Sequence, residues 1–346
     1  MEKQDIKSLT REKLTAAITG MGLPKFRAEQ IFSWLHQKNV KSFDEMTNLS
    51  AALREQLSEQ FYIPQLKIVR KLVSQIDGTV KYLFELPDGE RVESVLMHYK
   101  HGSSLCISSQ AGCRMGCRFC ASTIAGFTRN LVPSELLGQI TTACEDSGQR
   151  IHSIVMMGIG EPLDNFENVL DFLNLLEDEK GFGMSHRHVS LSTCGLVDKI
   201  RELSGKKLQI TLSVSLHAPN NERRDQIMPV NRRYPIEELI AACRDYTRIT
   251  GRRISFEYAL IAGVTDTDEC AYQLAKLLKG MLCHVNLIPI NEIRERDYKK
   301  SSRESIRRFA GILEKHRLTV TVRRKLGADI DAACGQLRKD SAQTGR

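Results

Sequence analysis

Three rhythms of apolar and polar positions succeed one another along the chain. Up to about residue 65, apolar residues recur at three- and four-residue spacing in TREKLTAAITGMGL, FRAEQIFSWLHQ and FDEMTNLSAALREQLSEQF, with Thr10 and Ser42 placed to cap. This predicts a small helical domain over 1–65. From about Lys67 to Tyr99 the rhythm becomes alternation in KIVRKLVSQIDGTVKYLFELPDGERVESVLMHY, broken at Asp77-Gly78 and Asp88-Gly89, which predicts a β linker of short strands over 66–102. After Ser103 short apolar runs alternate with amphipathic stretches: SLCISSQ then PSELLGQITTACED, SIVMMG then NVLDFLNLLED, HVSLST then VDKIREL, QITLSVSLH then IEELIAACRDYTRI, ISFEYALI then ECAYQLAKLLKG, HVNLIPI then SIRRFAGILEKH. A last strand, LTVTVRR, follows. Six βα units over 103–326 predict an α/β core with a parallel sheet and helices outside it, leaving 327–346 as a C-terminal loop. The pattern is compatible with a doubly wound sheet or with an open or closed barrel. Either gathers ligands at the C-terminal strand ends.

Composition narrows the class. With 346 residues and 41% apolar content the chain can bury a sizeable core. No run reaches the roughly 20 apolar residues of a membrane helix, and the start, MEKQDIKSLTREKL, is charged where a secretory signal is apolar, so a cytoplasmic location is expected. The formal charge is +8, with doublets at Arg223–Arg224, Arg232–Arg233, Arg252–Arg253, Lys299–Lys300 and Arg307–Arg308 and a triplet at Arg323–Lys325. Such an excess suits a polyanionic partner, although any one pair reads equally as a solvated helix face. Ten cysteines in a chain of this size without an export signal point to metal or thiol chemistry rather than a disulfide scaffold. Of these, Cys144, Cys194, Cys243, Cys270 and Cys283 lie on helical or strand patterns and read as small buried residues.

The chemistry concentrates after the first strand of the core, in Cys113-Arg-Met-Gly-Cys117-Arg-Phe-Cys120. Three thiolates on one Gly-containing loop can ligate three irons of a [4Fe–4S] cube and leave the fourth open to an external chelator. Zinc uses similar spacings, but a structural zinc site takes a closed set of four ligands, and no second paired knuckle appears. Other candidates recur at later strand ends: Gly160 and Glu161 in MGIGEP, Ser192, then Ser215, Leu216 and His217, then Asn291. Singly, each is an ordinary turn former.

With its aromatic Phe119 before the last cysteine, this loop resembles that of the radical S-adenosylmethionine (SAM) superfamily. The resemblance implies a partial (βα)6 barrel, one [4Fe–4S] cluster on Cys113, Cys117 and Cys120, and SAM held by Gly160, Glu161, Ser192, Ser215, Leu216, His217 and Asn291, with Glu161 accepting from the SAM amine. A narrower resemblance, to the RlmN/Cfr family of RNA methyltransferases, spans essentially the whole chain. It rests on LCISSQAGC, GCRMGCRFCAST, GEPLDN, SLHAPN, HVNLIPIN and Asp329-Ile-Asp-Ala-Ala-Cys334-Gly-Gln-Leu. One departure is Cys194, where relatives usually carry Ser; it is expected to be neutral.

The family chemistry gives the remaining residues roles. Adenine C2 has no lone pair, so polar methyl transfer fails there and a radical route is needed. The resemblance implies that Cys334 is methylated by one SAM, that a second SAM yields the radical that activates the thioether methyl, and that the carbon then adds to the ring. Glu93 takes the ring proton, and Cys106 attacks the bridging sulfur to form a disulfide with Cys334 and free the product. Without the resemblance, Glu93 reads as a solvated residue on an edge strand and Cys334 as an ordinary tail cysteine. The implied substrates are 23S rRNA, in the peptidyl-transferase loop, and tRNA next to the anticodon. An external donor such as flavodoxin or ferredoxin would supply electrons to a monomeric enzyme. Lys25, Arg27, Lys38, Lys41 and the 294–308 segment are candidates for gripping RNA. The CAST and GEPLDN stretches favour C2 over Cfr-like C8 methylation. A non-enzymatic zinc RNA-binding protein is the alternative of a different class, and radical SAM maturation of a peptide or metabolite a third.

Overall fold

The computed structural model describes residues 3–100, 102–290 and 297–330. At the N-terminus, β1 (Gln4–Asp5) pairs in parallel with β2 (Phe61–Tyr62) and closes off three helices, α1 (Arg11–Gly20), α2 (Lys25–His36) and α3 (Ala51–Gln60). Thr10 Oγ1 accepts from the Lys13 amide and Ser50 Oγ from the Leu53 amide, satisfying N–H groups that a helix start leaves unpaired. Leu14, Ile18, Ile31, Phe32, Leu35 and Leu57 form this unit's own core, which Leu175 of the larger part joins.

The remaining strands and helices follow in chain order: β3 (Lys67–Val73), β4 (Val80–Glu85), β5 (Arg91–Tyr99), β6 (Gly102–Cys106), β7 (Gln110–Gly112), β8 (Phe127–Asn130), α4 (Pro133–Ser147), β9 (Ile151–Met156), α5 (Phe166–Glu177), β10 (Val189–Thr193) and α6 (Val197–Lys206). Then come β11 (Thr211–Ser215), α7 (Asn221–Ile227), α8 (Ile236–Thr250), β12 (Ile254–Leu260), α9 (Asp268–Leu278), β13 (Cys283–Pro289), α10 (Arg303–Lys315) and β14 (Thr319–Val322).

Ten strands make one sheet in the order β14-β13-β12-β11-β10-β9-β6-β5-β4-β3. From β6 to β14 each parallel strand lies beside the next one in sequence, with no reversal of direction. Right-handed crossovers in unreversed order put every helix on one face. That is the winding of a barrel, and it settles the choice the sequence left open. The edges β3 and β14 do not pair with each other, so the barrel is partial.

Alternation along the strands divides the two faces. Leu105, Ile154, Leu191, Leu212, Val214, Phe256 and Val285 belong to the large core under the helices. Their neighbours Ser192, Ser213, Ser255, Glu257 and Asn286 face the barrel interior, with Ser192 opposite Ser213 and Ser213 opposite Ser255. The alternating stretch 67–99 continues the same sheet: β5 runs antiparallel to β6, with Val95 opposite Cys106, and β4 and β3 follow outward. In the core, the β7–β8 hairpin and the seven-residue α7 have no counterpart in the sequence pattern. Both are too short for a period to register.

His36 is buried against Phe32 at 4.5 Å between ring centroids, and neither ring nitrogen has a hydrogen-bond partner among the described residues. Burial, with a minor contribution from Lys7, pushes its pKa down to about 3 from 6.5. The imidazole is therefore neutral when folded; its contribution is complete above about pH 6.5 and is lost as pH falls toward the folded value. Between pH 7 and pH 5 the wild type is expected to lose about 2 kcal/mol more stability than His36→Leu. Thermal melts of the two at both pH values check this, and equal losses would contradict it.

Candidate active site

The Cys113–Cys120 loop projects from the β7–β8 hairpin, which follows directly on β6. The Cys113 amide donates to the Gly126 carbonyl (3.0 Å), the Cys120 amide to the Cys117 carbonyl (3.2 Å), and Thr123 Oγ1 to the carbonyls of Cys117 (3.2 Å) and Cys120 (2.9 Å). Gly116, at φ +72°, makes the turn between the cysteines with a left-handed backbone that a side chain would strain. Cys113 and Cys117 are buried and Cys120 half-buried. Burial raises both buried thiols, Cys113 to about 12, and each also lies within electrostatic reach of Cys120. The three thiols neighbour one another without converging on a point that a single ion would fill; no such three-ligand group occurs among the described residues. Phe119 packs edge-on against His217, ring centroids 4.8 Å apart, which couples the loop to the end of β11.

Around this loop the strand ends are laced together. Gly158 and Gly160 permit a close approach of backbone to backbone: a Cβ on Gly158 would stand 2.6 Å from the Ile107 carbonyl oxygen, and one on Gly160 2.8 Å from the Gln110 amide nitrogen. Gln110 Oε1 accepts from the Glu161 amide (2.8 Å) while its Nε2 donates to Asn130 and Asp164. Glu161 is 3% exposed. Its Oε1 accepts from the Leu163 amide (3.0 Å) and its Oε2 from the Cys194 amide (2.6 Å), with the Thr193 and Cys194 side chains donating as well. These donors fill the roughly four lone-pair positions of a carboxylate. Glu161, expected at the SAM amine, ties the β9 loop to the β10 loop in this structure, and burial raises its pKa.

Ser192 is half-buried on the interior face, and Ser215 half-buried at the last position of β11. Leu216 is fully buried, and the amides of Leu216 and His217 both donate to the Glu257 carbonyl, at 3.1 and 3.2 Å. His217, at φ +57°, accepts from the Ala259 amide through Nδ1 (3.0 Å); burial and the nearby Arg224 push its pKa down to about 3, so it is a neutral acceptor. Asn291 lies outside the described residues.

Sequence reasoning missed the group that organises these ends. Arg224, on α7, is 0% exposed, and its guanidinium donates to the carbonyls of Cys194 (2.7 Å), Ser215 (3.2 Å) and Leu216 (3.1 Å) and to Asn231 Oδ1 (3.0 Å). The same helix holds the cysteine loop, because the Arg118 amide donates to the Ile227 carbonyl (2.9 Å). The Arg223–Arg224 doublet, read as available to a polyanion, is thus engaged internally: Arg223 donates to the Val264 carbonyl (2.7 Å). The only hint in the sequence is that the pair follows a strand-end motif directly.

On the inner face of the antiparallel extension, Cys106 is buried with Val95 and Met97, and Met157 and Leu326 pack on this group. Glu93, two residues from Val95 on the same face, is 2% exposed. It sits on an internal strand, not an edge, and its Oε2 is 3.1 Å from Lys81 Nζ. Beyond Leu326 the chain is fastened to the β3–β4 turn: the Gly327 amide donates to Asp77 (2.9 Å), and Asp329 accepts from Ser74 Oγ (2.6 Å) and the Gln75 amide (2.8 Å). Cys334 lies outside the described residues. Of the basic candidates, Arg27 covers the Phe26 ring, Lys38 the Trp34 ring, and Lys41 pairs with Glu145.

Comparison with known proteins decides among the readings. Residues 4–63 match the ribosomal RNA large subunit methyltransferase N-terminal domain, and residues 107–275 the radical SAM superfamily. A probable dual-specificity RNA methyltransferase RlmN of Alkaliphilus oremlandii is 55% identical over 343 residues, 99% of this chain and 100% of that protein. One of Lachnospira eligens is 54% identical over 334 residues, 96% of this chain and 95% of its own. The chain belongs to the RlmN family. The crystal structure of a radical SAM methyltransferase from Sphaerobacter thermophilus agrees in fold at a TM-score of 0.90, with 43% identity over 96% of this chain and 98% of that one. An RlmN protein is a radical SAM RNA methyltransferase, and the superfamily implies SAM and a [4Fe–4S] cluster. The donor set fits: three neighbouring thiols from one short loop, at the strand ends of a partial barrel, with polar residues facing inward beneath them.

Replacing Arg224 leaves three buried carbonyls without their shared donor. Arg224→Met is expected to destabilise the apoprotein by roughly 2–5 kcal/mol, with Arg224→Lys recovering only part of it. Thermal melts measure this; a wild-type melt for Arg224→Met would contradict the role.

Proposed function

We propose that this chain methylates C2 of adenosine in RNA, in the peptidyl-transferase loop of 23S rRNA and next to the anticodon of tRNA, through a methylated Cys334. What carries the reading is the burial of Cys106 and Glu93 on one inner face, packed by Leu326, with Cys334 eight residues further along the chain. Radical maturation of a peptide or metabolite has no use for this second set of groups.

Cys113, Cys117 and Cys120 would hold the cluster. When bound, with one iron open to SAM, it supplies one-electron reduction of the sulfonium, the entry to radical chemistry. Gly160, Glu161, Ser192, Ser215, Leu216, His217 and Asn291 are the residues assigned to SAM, and Glu161 also ties the loops around it. Two SAM molecules are used per methyl, and a flavodoxin- or ferredoxin-type donor supplies electrons in the cytoplasm to a monomer.

The chain's own groups complete the transfer. Cys334 carries the methyl carbon to the adenine. Glu93 accepts the ring proton at a carboxylate oxygen, the C–H electron pair remaining with the adenine ring, whose unpaired electron, left by addition of the carbon radical, passes to a one-electron acceptor of the flavodoxin or ferredoxin class. The Cys106 thiolate then attacks the sulfur of Cys334: an S–S bond forms, the S–C bond breaks, and its electron pair stays on the carbon, which takes a proton and becomes the methyl group. The two thiols are oxidised to a disulfide as the carbon is reduced. The target base must leave its stack to reach this interior, so loop RNA suits it, with the 1–65 domain and the 294–308 segment as the basic grip.

Anaerobic incubation of the reconstituted protein with methyl-labelled SAM and unmodified 23S rRNA or tRNA, followed by nucleoside mass analysis, is expected to give 2-methyladenosine. Label at C8 would overturn the positional assignment, and turnover without RNA the substrate class. Cys334→Ala is expected to abolish methylation, and Cys106→Ala to accumulate protein crosslinked to RNA; loss of activity without a crosslink would remove Cys106 from its role.

A further inference from the structure

Lys81 and Glu93 form an ion pair inside the protein, 3.1 Å apart, with side chains 0% and 1% exposed. Strand register says where it points. Lys81 of β4 lies opposite Val95 of β5, and Val95 opposite Cys106 of β6, so cation, apolar spacer and thiol form one row across three strands. Glu93 stands one step along β5 from that row, opposite Leu83 and a diagonal neighbour of Cys106 at about 7–8 Å in such a ladder. The rest of this face is mostly apolar, with Leu83 on β4, Val95 and Met97 on β5, Met157 after β9 and Leu326 from the C-terminal side, and with the Ser104 hydroxyl of β6 opposite Met97. The other charged groups on β4 and β5 are Glu85 and Arg91, which pair with each other beyond Glu93; His98 of β5 alternates onto the opposite face, and on β3 the exposed Arg70 stands opposite Leu83.

A pair so placed is not explained by stability. Two charges withdrawn from water among apolar neighbours contribute no more than apolar side chains of the same volume, and often less. It is explained by what a buried base requires. A lone carboxyl in apolar surroundings favours its neutral form and cannot take a proton; a fixed cation beside it favours the carboxylate. We infer that Lys81 is a positioning residue for proton abstraction, keeping Glu93 ionised and aimed at the ring carbon beside Cys106. When Glu93 takes the ring proton, the C–H electron pair remains with the adenine ring and Lys81 retains its charge throughout. The inference rests on Glu93 being the proton acceptor.

The test uses the full chain with its cluster reconstituted anaerobically and three variants, Lys81→Gln, Lys81→Arg and Glu93→Gln. Each is read for methylation of Cys334 by protein mass spectrometry, which needs no proton from RNA, and for the rate of RNA methylation from pH 6.5 to 9. Lys81→Gln is expected to methylate Cys334 normally, to methylate RNA at least tenfold more slowly at pH 7, and to regain rate relative to the wild type as pH rises. Lys81→Arg, which keeps the charge, is expected to restore most of the rate and the wild-type profile. A wild-type profile for Lys81→Gln alongside an inactive Glu93→Gln would overturn the inference and leave the role of Glu93 standing. Equal loss of Cys334 and RNA methylation in Lys81→Gln would show a structural role only and overturn it as well. Full activity in Glu93→Gln would overturn the reading of Glu93, and this inference with it.

Discussion

A guanidinium removed from water must find acceptors for its N–H groups inside the protein, and Arg224 finds them on the carbonyl ends of two neighbouring strands. Because its helix also holds the Arg118 amide, one short element fixes the distance between the cysteine loop and the ends of β10 and β11. Glu161 makes the complementary tie, a buried carboxylate drawing the β9 and β10 loops together. An opposed pair of buried groups, each bonded mainly to backbone, laces the mouth of a barrel whose sheet does not close.

That openness lets the sheet extend. The antiparallel strands added to β6 carry Glu93 and Lys81, with Val95 set opposite Cys106 of β6, onto the face that the barrel interior shares. The C-terminal segment fastens to the β3–β4 turn through Asp77 and Asp329 and lays Leu326 on this group. The cysteine loop stands after β6 and Lys81, Glu93 and Cys106 lie on β4 to β6, so a single strand connects the two halves of the proposed chemistry.

The repeating βα rhythm and the cysteine loop were legible in the sequence because each is local: a period of a few residues, or a spacing within one loop. The barrel winding was not legible in the periodicity, which is silent on strand order, and came only from the resemblance carried by the cysteine loop. Lys81 sits in an alternating stretch where a Lys reads as facing solvent, and it is buried because both faces of β4 are covered. Arg224 looked like half of a surface doublet because seven residues of α7 show no helical period. Glu161 was recognised as important, but its saturation by the Leu163 and Cys194 amides follows from a loop crossing that no spacing announces.

Cys113, Cys117 and Cys120 are proposed to hold a cube whose fourth iron is free. Iron analysis with electron paramagnetic resonance of the anaerobically reconstituted, reduced protein, before and after SAM is added, addresses this directly. About four irons per chain and a spectrum that changes on adding SAM are expected. A single zinc, or a cluster spectrum indifferent to SAM, would contradict it.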